Sequence, residues 1–192
     1  MKEIPFTVEV IEKLRLNCHL GKHKHFEASG RGRQFHLWFG VPTVAISVVI
    51  GSAFFVQIQN DLPDFANWVG AGLGLTAAML SGIQTFFNFR KEYEAHRVTG
   101  NKFLHLAREC ERLIALYFDG QIELDALSAQ IEKLNERYAQ ITTAAESIST
   151  NRKDYSRAKA LQDAKEASEP SLVHRVRESP GVLPNPAAEA GS

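Results

Sequence analysis

The sequence predicts an all-α membrane protein, in which a two-transmembrane-helix hairpin lies between an N-terminal amphipathic helix and a long cytoplasmic helical hairpin. The prediction depends first on two stretches without Asp, Glu, Lys or Arg, residues 34–60 and 65–89. About 20 apolar residues in a helix cross the roughly 30 Å hydrocarbon core of a bilayer, and both stretches exceed that length. Only Asp61 and Asp64 are charged in the gap between them.

Composition along the chain then divides it into five segments. Charged, helix-prone sequence flanks the apolar hairpin, and the last residues are rich in Pro and small side chains, which is typical of disorder. The predicted segments are a cytoplasmic N-terminal helix and basic juxtamembrane segment (1–33), the membrane hairpin (34–89), a cytoplasmic helical or coiled-coil region (90–150), a helix end or linker (151–167) and a disordered tail (168–192).

Basic residues near the membrane ends predict the orientation of the hairpin. The external loop, 58–67, has two acidic residues and no Lys or Arg. Lys and Arg concentrate on the cytoplasmic side of membrane proteins. We therefore expect a multi-pass membrane protein with both termini in the cytoplasm, because basic residues flank both spans: Lys22, Lys24, Arg31 and Arg33 before the first, and Arg90, Lys91, Arg97 and Lys102 after the second.

The second span carries a stripe of small residues. We place the spans at about 35–57 and 68–89, and four small residues recur in the second at every fourth position: Gly70, Gly74, Ala78 and Gly82. Small residues at this spacing let another helix backbone approach closely in lipid. The partner is either the first span or the same span of another subunit.

A polar face lies toward the cytoplasmic end of the same span. It consists of Ser81, Gln84 and Asn88 at helical spacing, with Thr85 beside them. Polar side chains are costly in contact with lipid, so this face should meet protein or water. Two interpretations stay open: it lines a pore in an oligomer, or it makes hydrogen bonds between helices. Neither span contains a charged ring of the kind that forms a selectivity filter.

Helical periodicity continues on both sides of the hairpin. Val8, Ile11, Leu14 or Arg15, and Cys18 predict a short amphipathic helix after Pro5. Beyond the second span no helix-breaking signal precedes Asp119-Gly120, so 68–118 can form one helix with Gly100 as its weak point. A second helix follows with an apolar seam at heptad spacing. The seam packs in an antiparallel hairpin, an intersubunit bundle or both: Leu124, Leu127, Ile131, Leu134, Tyr138 and Ile141.

Nothing in the sequence predicts catalysis. The chain has no nucleophile–base arrangement, metal-ligand pattern or phosphate-binding loop, and we interpret His96 and His105 as surface or packing residues. With 22 basic and 22 acidic residues the net charge is zero, which gives no bias toward nucleic acid. We expect a non-enzyme without cofactor or metal that does not bind nucleic acid directly.

The combined architecture resembles the SLATT domain family of bacterial two-transmembrane proteins over roughly residues 5–150. The segments that carry the resemblance are FHLWFGVPTVAISVVIGSAFF, GAGLGLTAAMLSGIQTFFNF and FRKEYEAHRVTGNKFLHLARECERL, with Tyr93 at the aromatic and basic exit from the membrane. Family members are proposed effectors of bacterial conflict systems and are often encoded beside enzymes that make or sense nucleotide signals.

The resemblance implies an effector that forms homo-oligomers and permeabilises the inner membrane when triggered, as in abortive-infection anti-phage defence. A nucleotide-signal enzyme or sensor would act in trans. The alternative from the sequence is a non-catalytic membrane anchor or scaffold, whose cytoplasmic helices recruit a soluble partner. The two functions differ at the polar face of Ser81, Gln84 and Asn88. This face contacts water in an open pore, whereas in an anchor it needs only satisfied hydrogen bonds.

Overall fold

The computed structural model describes residues 4–58 and 65–178, and its regular structure in those ranges is entirely helical. The helices, numbered in chain order, are α1 (Phe6–Ile58), α2 (Phe65–Phe87), α3 (Phe89–Phe118), α4 (Leu124–Glu146), α5 (Arg152–Ser168) and α6 (Leu172–Glu178).

Two helical stretches are long and apolar enough to cross a membrane, which confirms the predicted fold class. They lie within Phe6–Ala53 and Phe65–Phe118, and their apolar windows bury no residue inside the protein. A helix that is apolar and exposed on all sides is stable only in lipid or against another protein. The centre of the predicted external loop, 59–64, lies outside the described residues.

The first helix is longer than the sequence pattern predicts. The N-terminal amphipathic helix, the glycine-containing juxtamembrane segment and the first span form one helix of 53 residues. Glycine lowers helix propensity by about 1 kcal/mol, but tertiary packing can override so small a preference. Such packing surrounds two of these glycines, because Gly21 lies against the Phe103 ring and Gly32 against Tyr93.

The predicted continuous helix over 68–118 is interrupted, and the interruption lies at Asn88 instead of Gly100. Asn88 has φ of 43°, in the left-handed region that Asn tolerates better than most residues. Its N–H still donates to the Gln84 carbonyl, while its own carbonyl accepts from the N–H groups of Lys91 and Glu92. Asn88 is therefore the single residue between α2 and α3, and it takes part in the hydrogen bonds of both helices.

The described chain separates into two compact units. Ser29–Glu94 forms one, which we call the membrane unit, and the described residues up to Ala28 and from Ala95 form the other, which we call the helical unit. The core of the helical unit combines α1, α3, α4 and α6. It confirms the amphipathic pattern predicted near the N-terminus, since its fully or nearly buried members include Val8, Ile11, Leu14, Cys18, Phe103, Leu106, Cys110, Leu113, Leu127 and Leu134.

Helices α3 and α4 are joined at the predicted Asp119-Gly120 turn. Gly120 has φ of 71°, its N–H donates to the Tyr117 carbonyl, and Gln121 donates to Leu116. This is a Schellman-type helix end, in which glycine adopts the left-handed conformation without steric cost. The turn lets the apolar seam of α4 pack against the same core as α1 and α3.

The chain after α4 is more ordered than its composition indicates. Residues 151–167, predicted as a helix end or linker, belong to α5, which begins with a reciprocal cap: Asn151 Oδ1 accepts from Asp154 N, and Asp154 Oδ2 from Asn151 N. The start of the predicted disordered tail contains α6, whose Val173 is buried in the core. Burial of its apolar residues stabilises a helix that its sequence alone would not. Residues 179–192 lie outside the described part of the chain.

Candidate functional site

Among the described residues, Gln84 hydrogen-bonds the predicted polar face of α2 to α1. Its Nε2 donates to the Phe39 carbonyl and to Thr43 Oγ1, each at 3.1 Å. Thr43 Oγ1 in turn donates to the same carbonyl at 2.7 Å. In an apolar environment an unpaired amide is costly, and these bonds give the Gln84 Nε2 atom two acceptors within the helix pair.

A groove of about 610 Å³ runs beside this network in the membrane unit. Its polar wall combines Ser81 and Gln84 of α2 with His36 and Thr43 of α1, and Gly40 lies next to the Gln84 Oε1 atom. The rest of the lining is apolar. Two of the four residues of the predicted polar face therefore line one groove together with polar residues of the first span.

The other two residues of that face lie elsewhere. Thr85 is exposed, and its hydroxyl donates to the Ser81 carbonyl of its own helix at 3.0 Å. Asn88 is exposed at the break between α2 and α3, so it leaves the helical spacing that relates Ser81 to Gln84.

The stripe of small residues on α2 is open. A Cβ atom built on Gly70, Gly74 or Gly82 would meet no atom of the described residues within 4 Å, and Ala78 is exposed. Among the described residues, therefore, α1 does not fill this stripe, although α1 and α2 belong to the same unit.

The seam of α4 packs within the chain. Leu127 and Leu134 are 0 % and 2 % exposed, and Ile131, Tyr138 and Ile141 pack against the same core. Leu124, at the start of the helix, is 38 % exposed. The helical unit thus uses most of the seam to cover α1 and α3.

Sequence reasoning missed an aromatic cluster at the ends of the predicted spans that lie away from the loop connecting them. The Phe89 ring stacks on Phe35, Phe39 and Phe87, with ring centroids 5.9, 5.8 and 5.5 Å away. Next to it, Ser29 Oγ donates to the Tyr93 carbonyl at 2.9 Å. The sequence contains phenylalanines in both helices of the hairpin that could have indicated such a cluster. Which rings meet, however, depends on the register of α1 against α2 and α3.

The helical unit contains a second unpredicted feature, a buried pair of imidazoles. His25 Nδ1 on α1 lies 2.9 Å from His96 Nδ1 on α3, and both side chains are 1 % exposed. The His25 ring also stacks on Phe103 at 5.8 Å. His96 is thus a packing residue, as predicted, whereas His105 is exposed.

Burial lowers the pKa of His25 to about 4, and the neighbouring His96 and Lys24 lower it further, against a smaller opposing effect of Asp154. Because a hydrogen bond between two Nδ1 atoms needs one donor and one acceptor, the pair cannot exist with both rings fully protonated. The arrangement links α1 to α3 only while at least one ring is neutral.

A partly buried ionic network lies on the same two helices. Arg15 Nε bonds Glu12 at 2.8 Å and Arg15 Nη1 bonds Glu111 at 3.3 Å, while His19 Nε2 lies 3.0 Å from Glu111. Burial alone would raise the pKa of Glu111, but its bonds to His19 and Arg15 lower it on balance. Arg15 is buried and the Glu111 side chain is 46 % exposed, so Arg15 is the charge that depends on these bonds for compensation.

In the described ranges, no group of three or more His, Cys, Asp or Glu side chains is placed to hold a metal ion. The chain matches the family model of the SMODS and SLOG-associating 2TM effector domain family 4 over residues 23–170. The chain belongs to this SLATT family. No curated protein and no solved structure matches it significantly.

The SLATT match covers the end of the N-terminal part of α1, both apolar helices and the helices α3, α4 and α5. The family is a two-transmembrane effector domain family associated with SMODS and SLOG proteins. This chain is therefore a membrane protein of the effector type.

Proposed function

We propose that this chain oligomerises in the bacterial inner membrane and permeabilises it when triggered, as in abortive-infection defence against phage. The family description supports an effector acting at a membrane, in a system with SMODS or SLOG partners. The proposal adds what the effector does, which is to let ions cross the bilayer. It also assigns the trigger to a nucleotide-signal enzyme or sensor in trans.

The observation that carries this proposal is the polar network inside the membrane unit. Gln84 is held by two hydrogen bonds to α1, next to a groove whose polar wall includes Ser81 and Thr43. A span that serves only as an anchor needs no such groups, because polar side chains in lipid raise the free energy of insertion. In a pore the same groups would face water.

The network is weak enough to be switched. A hydrogen bond between membrane helices contributes about 0.6–1.7 kcal/mol, so releasing two of them costs a few kcal/mol at most. A trigger that binds the open state a few hundred-fold more tightly would supply that free energy. Rotation of α2 would then exchange the contacts of Gln84 with α1 for contacts with water.

Assembly would use the open stripe on α2. Gly70, Gly74 and Gly82 have no described neighbour within 4 Å of a Cβ position, so another helix backbone fits there. Packing of small residues is a main source of helix association in lipid, where apolarity alone gives no driving force. Both termini would face the cytoplasm, which places the helical unit where a trigger in trans can reach it.

The test is ion leakage in cells and in liposomes. Gln84→Leu removes the amide while keeping a comparable volume, and we expect triggered depolarisation to fall at least tenfold. Thr76→Leu is the matched control, because Thr76 lies on the same helix, is exposed, and bonds only Gly72 of its own helix among the described residues. Asn88 is unsuitable for a Leu substitution because its left-handed backbone would be strained.

The protein should be expressed alone and with its genomic neighbours, with insertion checked by membrane fractionation. Equal leakage in the Gln84→Leu and wild-type proteins would contradict the assignment of Gln84 to the pore. A polarised membrane under every condition, with the protein inserted, would contradict permeabilisation and favour the anchor or scaffold function.

A further inference from the structure

A strongly basic groove lies between α3 and α4 in the helical unit. Its volume is about 720 Å³, within the range of small-molecule sites. Four cationic side chains line it, Lys102, Arg108 and Arg112 on α3 and Arg137 on α4, against one carboxylate, Glu109. We call these residues and the space they enclose the basic groove. In a chain whose net charge is zero, this is a local excess of positive charge.

The single carboxylate of the basic groove, that of Glu109, is already engaged in an ion pair. Glu109 forms an ion pair with Arg137 across the two helices. The described residues provide no ion-pair partner for Lys102, Arg108 or Arg112. These three cations have their charges on one wall of a concave surface, where the field of like charges adds and attracts anions.

The spacing of the cations follows the α3 helix. Lys102, Arg108 and Arg112 fall on one side of it, and the ten helical steps from Lys102 to Arg112 span roughly 15 Å. His105 and Gln140 add polar groups to the lining, and Leu106 and Ile141 add apolar ones. A ligand that fits must carry negative charge at more than one point along this length.

Arginine favours phosphate among anions, because its planar guanidinium donates two parallel hydrogen bonds to two oxygen atoms. Three of the four cations are arginines. We propose that the basic groove is a binding site for a ligand that carries two or more phosphate groups. The ligand is either a soluble polyphosphate compound or the headgroup region of an anionic phospholipid.

Binding would also change the contact between α3 and α4. Phosphate oxygens compete with Glu109 for the guanidinium of Arg137, so the bound state weakens one ion pair between the helices and replaces it with a ligand bridge. The proposed binding site can be tested separately from the proposed permeabilisation, because occupancy of the basic groove is measured by ligand binding and not by ion leakage.

The experiment uses the full chain in nanodiscs of pure phosphatidylcholine, which present no net negative charge. Inorganic pyrophosphate is titrated by calorimetry at about 0.15 M salt, and orthophosphate is titrated in parallel. We expect saturable binding of pyrophosphate that is at least tenfold tighter than that of orthophosphate. The double variant Lys102→Ala/Arg112→Ala should weaken it at least tenfold.

The matched control is Arg97→Ala/Lys133→Ala, which removes the same two residue types from exposed positions of α3 and α4 outside the basic groove. It should bind pyrophosphate within twofold of the wild type. Equal weakening in both double variants would overturn the proposal, because the effect would then come from net charge alone.

A second arm tests the lipid source. Nanodiscs containing cardiolipin, whose headgroup carries two phosphate groups, are compared with pure phosphatidylcholine, and photo-crosslinking at Gln140 reports headgroup contact. Groove-dependent crosslinking without pyrophosphate binding would support the site and identify a lipid headgroup as its ligand. Absence of both pyrophosphate binding and headgroup crosslinking, with circular dichroism unchanged, would overturn it.

Discussion

His25 and His96 share a hydrogen bond between their Nδ1 atoms at 2.9 Å, although 71 residues of sequence separate them. Each ring is almost fully buried, so water cannot replace the partner of either one. The bond ties the N-terminal part of α1 to α3, and it needs a neutral acceptor. Acid therefore acts on this contact directly.

The first prediction is a loss of stability below neutral pH. Because the pKa of His25 is about 4 in the folded protein and about 6.5 when unfolded, the unfolded chain binds more protons between these values. The stability contributed by neutral His25 is present above pH 6.5 and lost as the pH falls toward 4. From pH 7.5 to 5.0 the loss is roughly 2 kcal/mol for His25 alone. Thermal melts in detergent at the two pH values measure it.

The control for this prediction is the exposed His105. His25→Asn should melt with a smaller difference between pH 7.5 and 5.0 than the wild type, while His105→Asn should retain the full difference. Burial also lowers the pKa of His23, to about 4, which adds to acid sensitivity in every variant. An unchanged pH dependence in His25→Asn would rule out this imidazole as a source of the effect.

The second prediction concerns Gly100, which packs against Phe26. A Cβ at Gly100 would lie 2.6 Å from two atoms of the Phe26 ring. Gly→Ala in a helix normally gains up to about 1 kcal/mol, but overpacking costs about 1–3 kcal/mol. Gly100→Ala should therefore destabilise the protein in urea unfolding. Gly30→Ala, in helix α1 with no described neighbour within 4 Å, should be neutral or stabilising.

A rescue experiment separates the clash from other causes. The double variant Gly100→Ala/Phe26→Leu should recover part of the loss, because Leu removes the ring atoms that the new methyl group meets. Independent, additive effects of the two substitutions would contradict a direct contact.

The third prediction distinguishes packing within the chain from packing between subunits along α4. Leu127 is fully buried in the core, so Leu127→Ala should cost about 2–5 kcal/mol at every protein concentration. Leu124 is 38 % exposed, and Leu124→Ala should cost less than about 1 kcal/mol. Unfolding is followed by circular dichroism over a hundredfold range of protein concentration. A cost for Leu127→Ala that grows with protein concentration would indicate an intersubunit seam instead.

The fourth prediction is that both cysteines are chemically inert in the folded protein. Cys18 and Cys110 are fully buried, and burial raises the pKa of each thiol to about 12. The thiolate is the reactive form, so iodoacetamide at pH 7.5 should modify neither residue within an hour. Mass spectrometry should find both modified after denaturation. Rapid modification of either one in the folded protein would show that the core around α1 and α3 opens.

The apolar helices and the amphipathic helices could be predicted from the sequence because each depends on local periodicity. Val8, Ile11 and Leu14 repeat at helical spacing, and the structure buries all three. Gly120 could be predicted as a turn because its left-handed backbone is a property of one residue. The cap of α5 also has a local sequence signal, an Asn and an Asp three residues apart.

Other features could not be predicted because they depend on which residues meet. The residues around Asn88 are all compatible with a continuous helix, so the sequence does not indicate a break there. A single Asn does not reveal that its φ angle is positive. Helices α5 and α6 are held by contacts with residues far away in the sequence. Gln162 Nε2 of α5 donates a hydrogen bond to the Leu16 carbonyl at 3.3 Å, and Val173 of α6 packs in the core.

By itself, the sequence determined that this protein is helical, that two of its segments are apolar enough for a bilayer, and where its amphipathic faces lie. These are properties of composition and period, which a helix displays before it contacts anything. Only the tertiary structure decided that Gln84 meets Thr43, that His25 meets His96, and that cations of α3 and α4 enclose one groove. Such contacts depend on the register and rotation of one helix against another, and core packing sets those over the whole length of both helices.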